Sequence, residues 1–152
     1  MTGVGDKVFL DTNILVFSNA TQAPLHQAAR RAIQELYDAG AELWISRQVL
    51  REYLATLSRP QQFANPQPPA VLIADVRHFQ DRFRVVEDSP RVTEQLLALM
   101  EQIAMGGKQV HDANIVATML AYGIPSLLTH NTDDFARFSG LITVVSLETN
   151  VS

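Results

Sequence analysis

The chain reads as an α/β protein of three layers, a central parallel sheet with helices on both faces. Short apolar runs alternate along it with longer amphipathic segments, the pattern of strands joined by helical crossovers. One run, VFLDTN at 8–13, stays apolar and then stops at Asp11, Thr12 and Asn13, as a buried strand does at its carboxyl end. Ligands of open α/β sheets gather at such ends, which puts Asp11 at the mouth of a site.

A length of 152 residues, 47% of them hydrophobic, is enough for one domain over 1–152 with a sizeable core. The amino-terminal MTGVGDK lacks a signal pattern, and no stretch approaches the roughly 18 apolar residues of a membrane span, so a soluble, cytoplasmic protein is expected. Without cysteine there are no disulfides, zinc thiolate sites or thiol nucleophiles. A net charge of −4 gives no global attraction for nucleic acid, so any polyanionic substrate must be held by local features.

After the first strand, Ile14 to Phe17 continue apolar and 18–24 looks like a loop. A helix over 26–39 follows, with Ala29, Ile33, Leu36 and Tyr37 on one face and Arg30, Arg31, Gln34 and Glu35 away from it, ended by Gly40. A second strand, ELWI at 42–45, leads to Ser46 as N-cap of a helix over 47–58 striped by Val49, Leu50, Tyr53, Leu54 and Leu57. The four prolines of 60–69 exclude a regular helix and predict an exposed loop. Helical spacing returns over 70–83 (Val71, Leu72, Val76, Phe79), then a third strand at 84–87. Ser89 and Pro90 open a long helix through about Met105 that buries Leu96, Leu97, Met100 and Ile103. Gly106 and Gly107 break it, and a further helix runs from about Val110 to Tyr122, stopped by Gly123 and Pro125. A strand at 126–128, a polar turn at 129–134 and a last strand at 142–145 complete the pattern.

Three acidic positions besides Asp11 fall where a strand-end site collects them. Asp112 shares a helix face with Ile115, Val116 and Met119, so its carboxylate heads a buried stripe, which is costly unless satisfied. Helix N-cap and metal ligand both fit that position. Glu52 lies on the shoulder of its helix, either as a solvated glutamate or as part of the same site. Asp133 and Asp134 follow the strand SLLT, either as turn formers or as ligands. Two carboxylates about 4 Å apart repel by roughly 4 kcal/mol at an effective dielectric near 20, and a divalent cation removes that penalty. Oxygen ligands without cysteine suit Mg²⁺ or Mn²⁺, which can activate water against a phosphodiester.

The ordered set FLDTN at 9–13, the glutamate of SRQVLREYL at 46–54, HDANIVA at 111–117 and LLTHNTDDF at 127–135 resembles the PIN-domain ribonucleases. Within them it resembles the VapC-like toxins of bacterial toxin–antitoxin pairs. The resemblance implies a PIN-like α/β/α fold and a Mg²⁺- or Mn²⁺-dependent endonuclease acting on RNA. Asp11, Glu52 and Asp112 would form the acidic cluster, Asp11 and Asp112 as direct ligands and Glu52 as a ligand or the base for the attacking water. Thr12 and Asn13 would orient the first carboxylate or touch the scissile phosphate. Many relatives carry an aspartate where this chain has Asn131, and Asp134 is positioned in sequence to supply that charge. The resemblance further implies a cognate antitoxin and a homodimer; the proline loop and the helix at 26–39 are candidate contact surfaces.

Of the remaining residues, Arg47 and Arg51 lie four apart on the Glu52 helix and would either hold RNA phosphates or face solvent. His111 reads as a surface or capping residue rather than a catalytic one, and Trp44 as core rather than a stacking platform. Two other function classes compete: a catalytically weak PIN-fold module that binds RNA or protein, suggested by Asn131, and a phosphohydrolase of the haloacid dehalogenase type. The latter wants a second aspartate where Asn13 stands, and no matching lysine is evident.

Overall fold

The computed structural model describes residues 6–147. Its first strand, β1 (Lys7–Leu10), is buried over Val8, Phe9 and Leu10 and delivers the chain to Asp11. Asp11 keeps an extended backbone while its carboxylate accepts the Thr12 N–H, and so caps α1 (Thr12–Asn19). Residues Ser18 and Asn19 therefore belong to a helix and not to the expected loop. The apolar run Ile14 to Phe17 is too short to show its period, and the cap that starts the helix is the same aspartate that reads as a site residue.

Helix α2 (His26–Asp38) buries Ala29, Ala32 and Ile33, and β2 (Glu42–Ser46) follows. The Ser46 hydroxyl accepts the Val49 N–H at 3.3 Å to cap α3 (Arg47–Leu57), as its position before an apolar stripe predicts. The proline-rich segment is irregular apart from an isolated Gln61–Ala64 bridge, and Pro69 is already the first residue of α4 (Pro69–Arg82). Strand β3 (Arg84–Val86) leads to α5 (Pro90–Gln102), which ends three residues before the expected Met105. Its buried stripe is Val92 and Leu99, with Leu96 and Ile103 half-buried; Leu97 and Met100 face outward, as do Tyr37 of α2 and Val71 of α4, all against expectation. A wide apolar arc satisfies helical spacing on either flank, and only the packing partner selects which flank is covered.

Helix α6 (Lys108–Tyr122) is nearly apolar all round from Ala113 to Met119 and packs against α5. It starts at Gly107, which takes a positive φ of 58°, and stops at Gly123, a left-handed C-cap at φ 67°. Strand β4 (Ser126–Thr129), the single-turn α7 (Thr132–Phe135), a short 3-10 turn and β5 (Thr143–Ser146) close the described chain. The expected polar turn at 129–134 thus comprises a strand end and a helix start.

All pairings are parallel and the sheet order is β3-β2-β1-β4-β5. Val8 lies between Leu43 and Ser126, and Phe9 between Trp44 and Leu127, so β1 is central and flanked on both sides. From β1 the chain first builds outward through β2 and β3, then returns to the other flank with β4 and β5. The carboxyl ends of β1 and β4 are therefore the topological switch point, where a crevice opens in sheets of this kind. The Asp11 N–H donates to the Leu128 carbonyl at 3.1 Å, tying the two strand ends together at that place.

Candidate active site

At the switch point Asp11 is 6% exposed and held by neutral donors. One carboxylate oxygen, Oδ1, takes the Thr12 N–H at 2.8 Å; the other, Oδ2, takes the Thr129 hydroxyl at 2.8 Å and the Asn13 amide at 3.2 Å. Asn13 spans the two strands, for its Oδ1 accepts the His130 N–H at 3.0 Å. Thr129 is fully buried, and its oxygen also accepts the Asn131 N–H at 3.0 Å. Burial pushes the Asp11 pKa up to about 6, the Thr129 and Thr12 hydrogen bonds pull it back, and the negative charges of Glu52 and Asp112 add to the rise.

Glu52 reaches the same mouth from α3. Its Oε1 accepts the Thr12 hydroxyl at 2.8 Å and its Oε2 the Gln48 side-chain amide at 3.1 Å. Gln48, one turn earlier and 7% exposed, is the joint between α3 and α6: the same amide donates to the His111 carbonyl at 2.9 Å, and its oxygen accepts the Asn114 amide at 2.8 Å. Neither Gln48 nor Thr129 was singled out from the sequence. Gln48 sits one turn before Glu52 on the buried flank of its helix, a legible signal, whereas Thr129 carries no pattern that marks it.

Asp112 lies in the second turn of α6, because the helix starts at Lys108 with Gly107 as its cap; the N-cap alternative for Asp112 is thereby excluded. It heads the stripe of Ile115, Val116 and Met119, all fully buried. Burial raises its pKa to about 6, with Asp134 and then Glu52 adding to the rise, against the positive influence of His111 and Lys108. Repulsion links these acids in pairs: Glu52 and Asp112 act on Asp11, and Asp134 and Glu52 act on Asp112. Asp134 is exposed on α7 and is the acid of its turn that Asp112 feels most.

Among the described residues no three acidic or histidine side chains stand close enough to form a ready-made metal cage. The donor set still fits a hard, hydrated cation, because Mg²⁺ keeps several waters and is held by one or two carboxylates. Two aspartates whose ionised forms are disfavoured by burial and by neighbouring negative charge both gain from a divalent ion at the mouth. Of the other singled-out residues, Arg47 is paired with Glu87 at 2.9 Å on the exposed flank of α3, and Arg51 is exposed. Asn131 is exposed at the start of α7, and His111 is exposed beside Asp112. Trp44 is half-buried and packed against the core, and Lys7 and Arg84 each place a cation 5.5 Å from the centre of its ring. No helix among the described residues is long and apolar enough to cross a membrane.

A family model described as PIN domain matches residues 8–141. Ribonuclease VapC48 of Mycobacterium tuberculosis is 23% identical over 133 residues, covering 86% of this chain and 91% of its own length. Ribonuclease VapC24 of the same organism is 28% identical over 133 residues, covering 85% and 89%. Among solved structures, a toxin–antitoxin complex from Klebsiella pneumoniae contains a chain that superposes with a TM-score of 0.65 at 23% identity, covering 92% of this chain and 97% of its own; that likeness shows the shared fold.

Proposed function

Because the chain belongs to the PIN domain family, we propose that it is a metal-dependent endoribonuclease that cleaves RNA phosphodiesters and serves as the toxin of a toxin–antitoxin pair. The observation that carries this reading is that Asp11, at the end of β1, feels the negative charge of Asp112, in the second turn of α6, and that Glu52 acts on both. The names of the ribonuclease relatives support the substrate class, and the toxin–antitoxin complex supports the pairing. We assign Asp11 and Asp112 as direct ligands of Mg²⁺ or Mn²⁺, with Asp134 completing the charge from α7.

A bound divalent ion supplies positive charge for the phosphate and lowers the pKa of an attacking water. The chain's own residues do the positioning. Thr12, Asn13 and Thr129 fix the plane of the Asp11 carboxylate. Glu52, oriented by the Thr12 hydroxyl and the Gln48 amide, accepts the proton of the water that attacks phosphorus. The test is cleavage of an RNA panel with Mg²⁺ or Mn²⁺ by the wild type, Asp11→Asn and Asp112→Asn: both variants are expected to be inactive, and activity surviving in both overturns the reading.

A second reading, a PIN-fold module that binds RNA or protein without cutting, draws on one observation: an uncharged amide, Asn131, stands in the turn of α7. Calorimetric titration separates the two, since no measurable Mg²⁺ or Mn²⁺ affinity favours the binder. In the toxin reading the protein acts in the cytoplasm, is silenced by an antitoxin and forms a homodimer. A monomer mass by light scattering at micromolar concentration counts against the dimer.

A further inference from the structure

We propose that the basic cleft between α1, α2 and α4 is a phosphate-binding site that holds the RNA backbone at a distance from the acids. The proposal rests on the ribonuclease reading for its ligand. Arg30 and Arg31 from α2, Arg82 and His78 from α4, and the amides of Asn19 and Gln27 line a cavity of about 420 Å³. No acidic side chain lines it, in a chain of net charge −4. All three arginines are exposed, and none forms an ion pair among the described residues. Arg82 also lies over the Phe83 ring, 5.2 Å from its centre, which fixes its stem.

Three guanidiniums facing one cleft repel one another unless an anion sits between them, and their planar forks match phosphate oxygens bidentately. The carboxyl-terminal ends of α1 and α4 also approach the cleft. Each contributes only about half a negative charge, which three full positive charges exceed. Arg47, by contrast, spends its charge on Glu87.

The position relative to the acids points to a strand and not to a lone anion. Helix α1 starts at the acidic mouth with Thr12 and ends at the cleft with Asn19, a rise of about 10 Å. Asn19 and His78 also line a second cavity of about 640 Å³, walled by Tyr53, Phe63 and Asp75, so the two cavities adjoin. Tyr53 directly follows Glu52 on α3 and is held by the Asn19 amide at 3.1 Å and by donating to Asp75 at 2.7 Å. In this proposal a strand with its scissile phosphate at Asp11 and Asp112 sets its flanking phosphates on Arg30, Arg31 and Arg82.

The experiment is fluorescence anisotropy of a labelled single-stranded oligoribonucleotide on the full chain carrying Asp11→Asn, titrated at several salt concentrations. Adding Arg30→Ala, Arg31→Ala and Arg82→Ala together is expected to weaken binding at least tenfold in 0.1 M salt. It is also expected to lower the slope of log K against log salt by about 2, near 0.7 for each phosphate no longer neutralised. The triple lysine variant keeps the slope. Arg30→Gln with Arg31→Gln gives a milder variant at exposed positions, expected to weaken binding in proportion, with folding checked by circular dichroism. Unchanged affinity and slope in the alanine and glutamine variants overturn the proposal. So does unchanged RNA binding accompanied by loss of binding to a polyglutamate peptide, which assigns the cleft to an acidic protein. Binding is measured without cleavage, so a wild type that fails to cut RNA overturns the nuclease reading and leaves this result intact.

Discussion

Asp11 shows the conflict between burial and charge most directly. Its pKa is raised from 3.8 to about 6, so folding favours the protonated form. The stability this gives is present below about pH 4 and is lost as the pH rises through about 6, a swing of about 3 kcal/mol by the usual conversion. Without divalent ions, Asp11→Asn is therefore expected to melt above the wild type at pH 7.5 and to converge with it near pH 4, as thermal denaturation across pH will show. Saturating Mg²⁺ or Mn²⁺ should reverse that order: at a hundredfold excess over Kd the wild type gains about 2.7 kcal/mol, and Asp11→Asn gains little. Cleavage needs both aspartates ionised, and a bound divalent ion favours that form, so the acid limb of the rate is expected below the metal-free pKa of about 6 and to move to lower pH as the Mg²⁺ concentration rises. Thr129 tunes this limb. Its hydroxyl bond lowers the Asp11 pKa, so Thr129→Val should move the acid limb of the pH–rate profile upward.

At the level of elements, the site depends on how α3 and α6 are joined. Gln48 is the joint, and Gln48→Leu leaves the Asn114 amide and the His111 carbonyl without it, at a cost of about 1–3 kcal/mol. Cleavage should fall as well, because Glu52 loses a donor. Gln48→Glu should be worse on both counts, since it sets an acceptor against the Glu52 carboxylate and the His111 carbonyl. Urea unfolding and cleavage assays on the two variants provide the comparison. The far end of α6 has a different dependence. Gly123 is left-handed and a Cβ there meets nothing within 4 Å, so Gly123→Ala is expected to lose about 1–2 kcal/mol from backbone conformation alone, and Gly123→Asn less. Its activity per folded molecule should be unchanged, because the glycine lies at the opposite end of α6 from Asp112.

For the whole molecule, the order β3-β2-β1-β4-β5 places the candidate site. It sets β1 beside β4, so that Thr129, His130 and Asn13 close around Asp11 across more than a hundred residues of chain. It also brings α3, α6 and α7 to the same end of the sheet. Period and punctuation in the sequence determined the alternation of strands and helices, the strand end at Asp11, the Ser46 cap and the apolar stripe behind Asp112. Those features arise from neighbours within a few turns, and a linear pattern records them. Only the tertiary structure decided that Asp11 also caps a helix, that Asp112 sits in a second turn and not at a cap, that Gln48 and Thr129 hold the acids, and that Arg47 is paired while Arg30, Arg31 and Arg82 share a cleft. The reason is physical: these depend on contacts between distant segments, on which flank of a helix is covered, and on desolvation that only the packed molecule imposes.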